Sequence, residues 1–231
     1  MCTVTYLPKN NGGFILTSSR DEKTIRPSAL LPQEYFLHGK NIVFPKDPLG
    51  GGSWIAYSGD RTACLLNGGF KKHTPTPPYK KSRGLMLLDY FSFDSIKKFV
   101  EDYDFKGIEP FTLILIELAD LWELRWDSNT IHVIPYSSDL PHVWSSVTLY
   151  SEEVISKRKT WFQRWLSSDY RNDVESIRQF HKHAGEGDQE NDLVMNRDNF
   201  MRTVSITSIE KNESSLTMVY EEVAHPEKSY S

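Results

Sequence analysis

The sequence predicts an α+β fold in which two antiparallel sheets carry helices on their outer faces. Blocks of strand-like and helix-like periodicity follow one another in the order strands, helices, strands, helices and a final hairpin. Several strand blocks are separated by short turns rich in Gly and Asn, which favour antiparallel neighbours. A hydrophobic content of 39% over 231 residues suffices for one continuous core, so residues 1–231 read as a single domain.

Residues 2–7 alternate Cys2, Val4 and Tyr6 with threonines and stop at Pro8, as a strand does. Asn10 to Gly13 turn the chain, and residues 14–18 return it, so Ser19-Arg20-Asp21-Glu22 is expected to leave the sheet close to where Cys2 enters it. Residues 24–52 contain Pro27, Pro32, Pro45 and Pro48 without a sustained period and read as irregular loop with one short strand at 42–44. Residues 54–58 and 62–66 form a hairpin across Gly59-Asp60. Asn67-Gly68-Gly69 then opens a basic, Pro-rich surface flap reaching Lys81.

Helical spacing follows Ser82, with Leu85 and Leu88 on one face and Ile96, Phe99, Val100 and Tyr103 on another. Residues 111–117 are a continuous apolar strand, Trp122, Leu124 and Trp126 alternate with charges in the next, and residues 131–134 continue the meander. After Ser151 the stripe Val154, Trp161, Trp165 marks an amphipathic helix. Asn172 with Glu175 resembles a capping box before Val174, Ile177 and His181. A polar loop over 185–198 and strands at 203–209 and 215–220 complete the chain.

A formal charge of −4 and a pI near 6.0 leave no global basic field, which argues against nucleic acid as a principal partner. No window approaches the ~20 apolar residues of a spanning helix, and no secretory pattern opens the chain, so a cytoplasmic location without an integral membrane segment is expected. Two cysteines, Cys2 and Cys64, make no disulfide framework and no metal-ligand spacing. Cys64 lies in an apolar strand and reads as a buried, inert thiol. Gly50 to Gly52 lack the helix and acid of a dinucleotide site.

Cys2 has its own chemistry if Met1 is trimmed, because one residue then carries both a thiol (pKa about 8.5) and an α-amine (about 7.7–8.0). The thiol attacks a carbonyl and the amine takes its proton. Such a centre needs a cation, a carboxylate and an oxyanion donor. Arg20, Asp21, and Asn67 with Gly68 stand at strand ends able to supply them. Trp54, after the glycine run, is a candidate pocket wall.

Met1-Cys2-Thr3, Thr17-Ser18-Ser19-Arg20-Asp21-Glu22, Arg26-Pro27, Gly51-Gly52-Ser53-Trp54, Leu66-Asn67 and Ser82-Arg83-Gly84 together resemble the NRDE family, also called the transport and Golgi organisation protein 2 family. The resemblance covers roughly the first 90 residues and departs from the family pattern at Ser19 and at Trp144-Ser145-Ser146, where the family has asparagine. It implies a four-layer αββα sandwich of N-terminal-nucleophile hydrolase type, with Cys2 as nucleophile, Arg20 and Asp21 beside it and Asn67 as oxyanion donor. Activity is then expected on a non-peptide C–N bond of a small-molecule substrate, with Trp54, Gly68, Arg83, Ser146 and Arg202 as substrate-binding candidates. For Arg202 alone, a solvated charge is the simpler reading.

The same resemblance implies an alternative, a haem-binding or haem-trafficking protein without turnover. The sequence lacks a Cys-x-x-Cys-His attachment motif, so haem would be held non-covalently. No resident cofactor or metal is required by either reading. Of the seven histidines, His181 reads as a satisfied core residue and His73 as a solvated loop residue. Trp122, Trp126, Trp161 and Trp165 read as packing.

Overall fold

The computed structural model describes residues 3–10, 12–213 and 215–225, so Cys2 lies outside the described residues. In chain order the first half comprises β1 (Thr3–Pro8), β2 (Phe14–Lys23), β3 (Leu30–Leu37), β4 (Lys40–Lys46), β5 (Ile55–Ser58), β6 (Arg61–Asn67), α1 (Arg83–Asp89) and α2 (Ile96–Asp102). Then come β7 (Phe111–Glu117), β8 (Asp120–Trp126), β9 (Ile131–Tyr136), β10 (His142–Ser145), α3 (Glu152–Leu166), α4 (Val174–His183), β11 (Asn196–Arg197), β12 (Met201–Asn212) and β13 (Ser215–Glu222). The fold is therefore α+β, with two antiparallel sheets and, among the described residues, four α-helices.

One sheet has the order β10-β1-β2-β12, with β11 and β13 both paired to β12; the other runs β3 through β9 in sequence order. Side chains alternate across a strand, and the alternation in β1 and β2 separates two cores. Val4, Tyr6, Phe14 and Leu16 share a core with Ile42, Ile55 and Cys64 of the second sheet. Leu7 and Ile15, on the other face, pack against Trp161, Phe162, Ile177 and Phe180 of α3 and α4. Each such large apolar side chain contributes about 1.5–3 kcal/mol through burial. Helix α1 rests on β5 and β6, α3 on β10, and α4 on β2 and β12.

Three helices begin at serine caps, whose Oγ atoms accept from the backbone N–H three residues on: Ser82 from Leu85, Ser95 from Lys98 and Ser151 from Val154. Glu152 and Glu153 in the first turn of α3 complement its positive end.

The structure departs from the sequence reading in four places. Ser19 to Glu22 do not leave the sheet: β2 continues to Lys23 because β12 pairs with it, Thr203 opposite Asp21 and Arg202 opposite Glu22. The short strand expected at 42–44 is the middle of β4, and the rest of residues 30–46 is not irregular but completes the β3–β4 hairpin. Edge strand β3 is mostly exposed, so it carries no clear alternation, and its register shifts around Pro32. Helix α4 is capped by Asp173, which accepts from Ser176 N at 2.7 Å, while Asn172 Nδ2 donates to Pro8 O instead. Strand β10, not anticipated, pairs with β1, setting Ser145 opposite Thr3.

Candidate active site

A cleft of about 430 Å³ opens where β2, the glycine run before β5, the end of β6 and the start of α1 meet. Four of the residues singled out in the sequence line it: Arg20, Trp54, Asn67 and Arg83. They come from four separate segments, and two glycines permit the meeting. At Gly52 a Cβ would lie 2.3 Å from the Gly84 carbonyl carbon, so only glycine lets this segment cross the start of α1. Gly68 follows Asn67 with φ +87°, and a Cβ there would lie 2.6 Å from Val147 Cγ2.

Arg20 is almost fully buried, and its guanidinium lies 4.5 Å from the centroid of the Trp54 ring. It shares two acids with Arg26: Arg20 Nη2 is 3.3 Å from Glu22 and 3.6 Å from Asp47, and Arg26 Nη2 is 3.2 Å from Asp47. Arg83 pairs with Glu109 at 3.0 Å and donates to Pro110 O. Burial lowers the Arg83 pKa from its ordinary value, with Glu109 opposing, yet a guanidinium stays charged. Lys81, also in the lining, pairs with Asp89 at 2.5 Å. The cleft thus presents cations held in place by acids beside an indole face.

Asp21 projects from the opposite face of β2. Its Oδ1 accepts from Thr203 Oγ1 at 2.6 Å and its Oδ2 from Tyr150 Oη at 2.5 Å. Arg158 lies over the Tyr150 ring, 3.6 Å from Cζ to centroid, and its Nη1 donates to Thr3 Oγ1 at 2.5 Å. Nearby, His181 bridges β1 and β2, Nε2 to Thr5 Oγ1 at 2.8 Å and Nδ1 to Ser19 Oγ at 2.7 Å. Burial first, then the charges of Arg158 and Arg178, push the His181 pKa down to about 3, so the ring is neutral. Ser19, where the family motif has asparagine, is thereby engaged with a ring from α4.

Ser146 donates to Asn67 O at 2.8 Å, tying the start of the chain after β10 to the end of β6. Arg202 is in β12 opposite Glu22 and is half-buried, its Nε buried and without a hydrogen-bond partner among the described residues. His181 is the satisfied core residue expected, whereas His73 is not simply solvated: its Nε2 lies 3.1 Å from Glu109. Cys64 is fully buried, and burial pushes its thiol up to about 12.

Asp47 and Glu109 in the cleft, and Tyr150, Arg158 and Thr203 around Asp21, were not identified from the sequence, which named Glu22 only within the motif and Lys81 only within the basic flap. One signal pointed to Arg158: it falls on the Val154–Trp161–Trp165 stripe, where a charge is out of place unless it has buried partners. Among the described residues no group of three or more His, Cys, Asp or Glu is arranged to hold a metal ion, and no helix is long and apolar enough to cross a membrane.

Comparison with curated proteins gave no match. The family model for Transport and Golgi organisation 2 matches residues 1–222. With that match spanning all but the last residues, and with the motif residues Arg20 and Asp21 on β2, the chain belongs to the Transport and Golgi organisation 2 family.

Proposed function

We propose that the protein is a cysteine amidohydrolase of the N-terminal-nucleophile type, built on the αββα sandwich of that group, acting in the cytoplasm on a non-peptide C–N bond of a small molecule. The observation that carries this reading is the convergence of Arg20, Trp54, Asn67 and Arg83 on one cleft at the second half of β2, where Ser19 stands opposite Thr3 at the start of β1. The two sheets sharing one core, with α1 on one sheet and α3 and α4 on the other, support the fold assignment.

In the proposed reaction Met1 is removed and the Cys2 thiol attacks the substrate carbonyl, its proton passing to the α-amine. Asn67 would hold the developing oxyanion through its side-chain amide, since the Gly68 N–H is already given to Pro110 O. Collapse breaks the C–N bond, the leaving nitrogen takes the proton from the α-ammonium, and an acyl-thioester remains. Water, deprotonated by the same amine, then hydrolyses the thioester and restores the thiol. Arg20 favours thiolate by its charge, and Asp21 orients the ammonium form. Arg83 and Trp54 would bind the polar and flat parts of the substrate.

Intact-mass measurement of protein made in cells tests the first requirement: Met1 retained on nearly all molecules defeats the mechanism. A panel of acyl amides is then screened against the native protein and Cys2→Ala, with haem titrated into both. A burst of acylation lost in the variant supports hydrolysis. Saturable haem binding equal in both proteins, with no acylation of either, moves the assignment to a carrier.

A further inference from the structure

We infer that the cleft receives an anionic oxygen group, a carboxylate or a phosphate, carried by the small molecule it binds. This names the substrate class of the proposed hydrolase site, and it rests on that reading only in calling the ligand a substrate. Four cations line the cleft, Arg20, Arg26, Lys81 and Arg83, against three acids, Glu22, Asp47 and Glu109. An excess of one charge attracts an anion weakly in water, and the hydrogen-bond inventory of the lining is the stronger sign.

Both oxygens of each acid are already engaged within the protein. Glu22 Oε2 lies against Arg20 and Arg26, and its Oε1 accepts from Lys23 N at 2.9 Å. Asp47 Oδ2 meets the same two arginines, while its Oδ1 accepts from Leu49 N and Gly50 N. Glu109 gives one oxygen to His73 and the other to Arg83. The donors of the lining are not matched in this way. Trp54 is only 4% exposed, and its buried Nε1 has no hydrogen-bond partner among the described residues; the same holds for the buried Arg26 Nε. Tyr79 Oη accepts from Thr76 N at 2.8 Å and Ser82 Oγ from Leu85 N, so each hydroxyl keeps its own proton to give. Among the described residues no buried side-chain oxygen of the lining is left without a partner. A buried N–H without an acceptor is costly, and a ligand oxygen recovers that cost, the more so when it is charged. A donor group on a ligand would find every carboxylate of the cleft occupied.

The test is isothermal titration calorimetry of the full-length protein with three probes that share an apolar body and contain no amide bond: hydrocinnamate, phenethyl phosphate and hydrocinnamyl alcohol. One of the two anions is expected to bind at least about tenfold more tightly than the alcohol, and the tighter anion identifies the group. Trp54→Phe keeps an aromatic ring beneath Arg20 and removes the indole N–H, and is expected to cut the ratio of anion to alcohol affinity about tenfold. Arg26→Lys keeps the charge beside Asp47 without the Nε donor; it is expected to cut the ratio in the same direction and serves if Trp54→Phe does not fold. Anions that bind no better than the alcohol, or an anion preference that survives both substitutions, overturn the inference. Because no probe can be hydrolysed, that failure leaves the hydrolase reading to its own burst-acylation assay. An anion preference found together with no acylation sinks the hydrolase reading and leaves the inference standing for a bound ligand.

Discussion

Lowering the pH from 7.5 to 5 is expected to cost the fold about 2 kcal/mol through His181 alone. The ring is fully buried, its nitrogens are both engaged by hydroxyls, and Arg158 and Arg178 act on it with like charge, so its pKa falls from 6.5 to about 3. Below 6.5 the unfolded chain takes up a proton that the native state excludes. The stability contribution is therefore complete above that value, declines by about 1.4 kcal/mol per pH unit as the pH falls, and is lost as the pH reaches about 3. Between pH 7.5 and 5 the loss comes to about 2 kcal/mol, or roughly 1 M in urea midpoint for an m value of about 2 kcal/mol per M. Urea denaturation of wild type and His181→Gln at the two pH values separates this residue from all other titrating groups. The variant is less stable at pH 7.5 but is expected to lose about 2 kcal/mol less on acidification. Equal pH dependence in the two proteins would refute the claim that His181 is held neutral between β1 and β2.

Further expectations follow from the same geometry. Gly52→Ala drives a methyl into the backbone at Gly84, costs at least about 1–3 kcal/mol in a thermal melt and dislodges the start of α1, and Arg83 with it. Arg158→Met leaves Thr3, Asn191 O and Asp192 O without their donor and is expected to lower stability by about 3 kcal/mol or more in denaturant titration. Cys64, with its thiol raised to about 12 by burial, is expected to resist iodoacetamide at pH 8 in the native protein and to react fully once urea unfolds it. Arg20→Met keeps a flexible apolar chain against Trp54 but leaves Glu22 and Asp47 with Arg26 as their remaining arginine. A drop in acylation rate far exceeding any fall in melting temperature is the expected result.

The chain's local patterns were sufficient for most elements. Strong periodicity marked β7, β8 and α3, serine caps marked the starts of α1 and α3, and the motif containing Arg20 located one side of the candidate site. Strand β3 was illegible because an exposed edge strand interrupted by proline has no buried face to impose alternation, whereas the buried middle of β4 was legible as the short strand at 42–44. The extension of β2 through Asp21 was illegible for another reason: nothing local keeps Ser19 to Glu22 extended, and it is β12, some 180 residues later, that pairs with them.

Burial and charge pairing are properties of the assembled chain. Nothing in the sequence distance between Glu22 and Asp47 says that Arg20 and Arg26 share them, or that Arg20 stacks on Trp54. Nor does the order of residues reveal that adjacent Arg20 and Asp21 serve opposite faces of one strand, the first toward the cleft and the second toward Tyr150 and Thr203. The sequence determined by itself which strands and helices the chain strongly favours, and which motif residues of its family it carries. Tertiary structure alone decided which of those residues meet, because long-range pairing and desolvation, not local propensity, choose a buried polar group's partners.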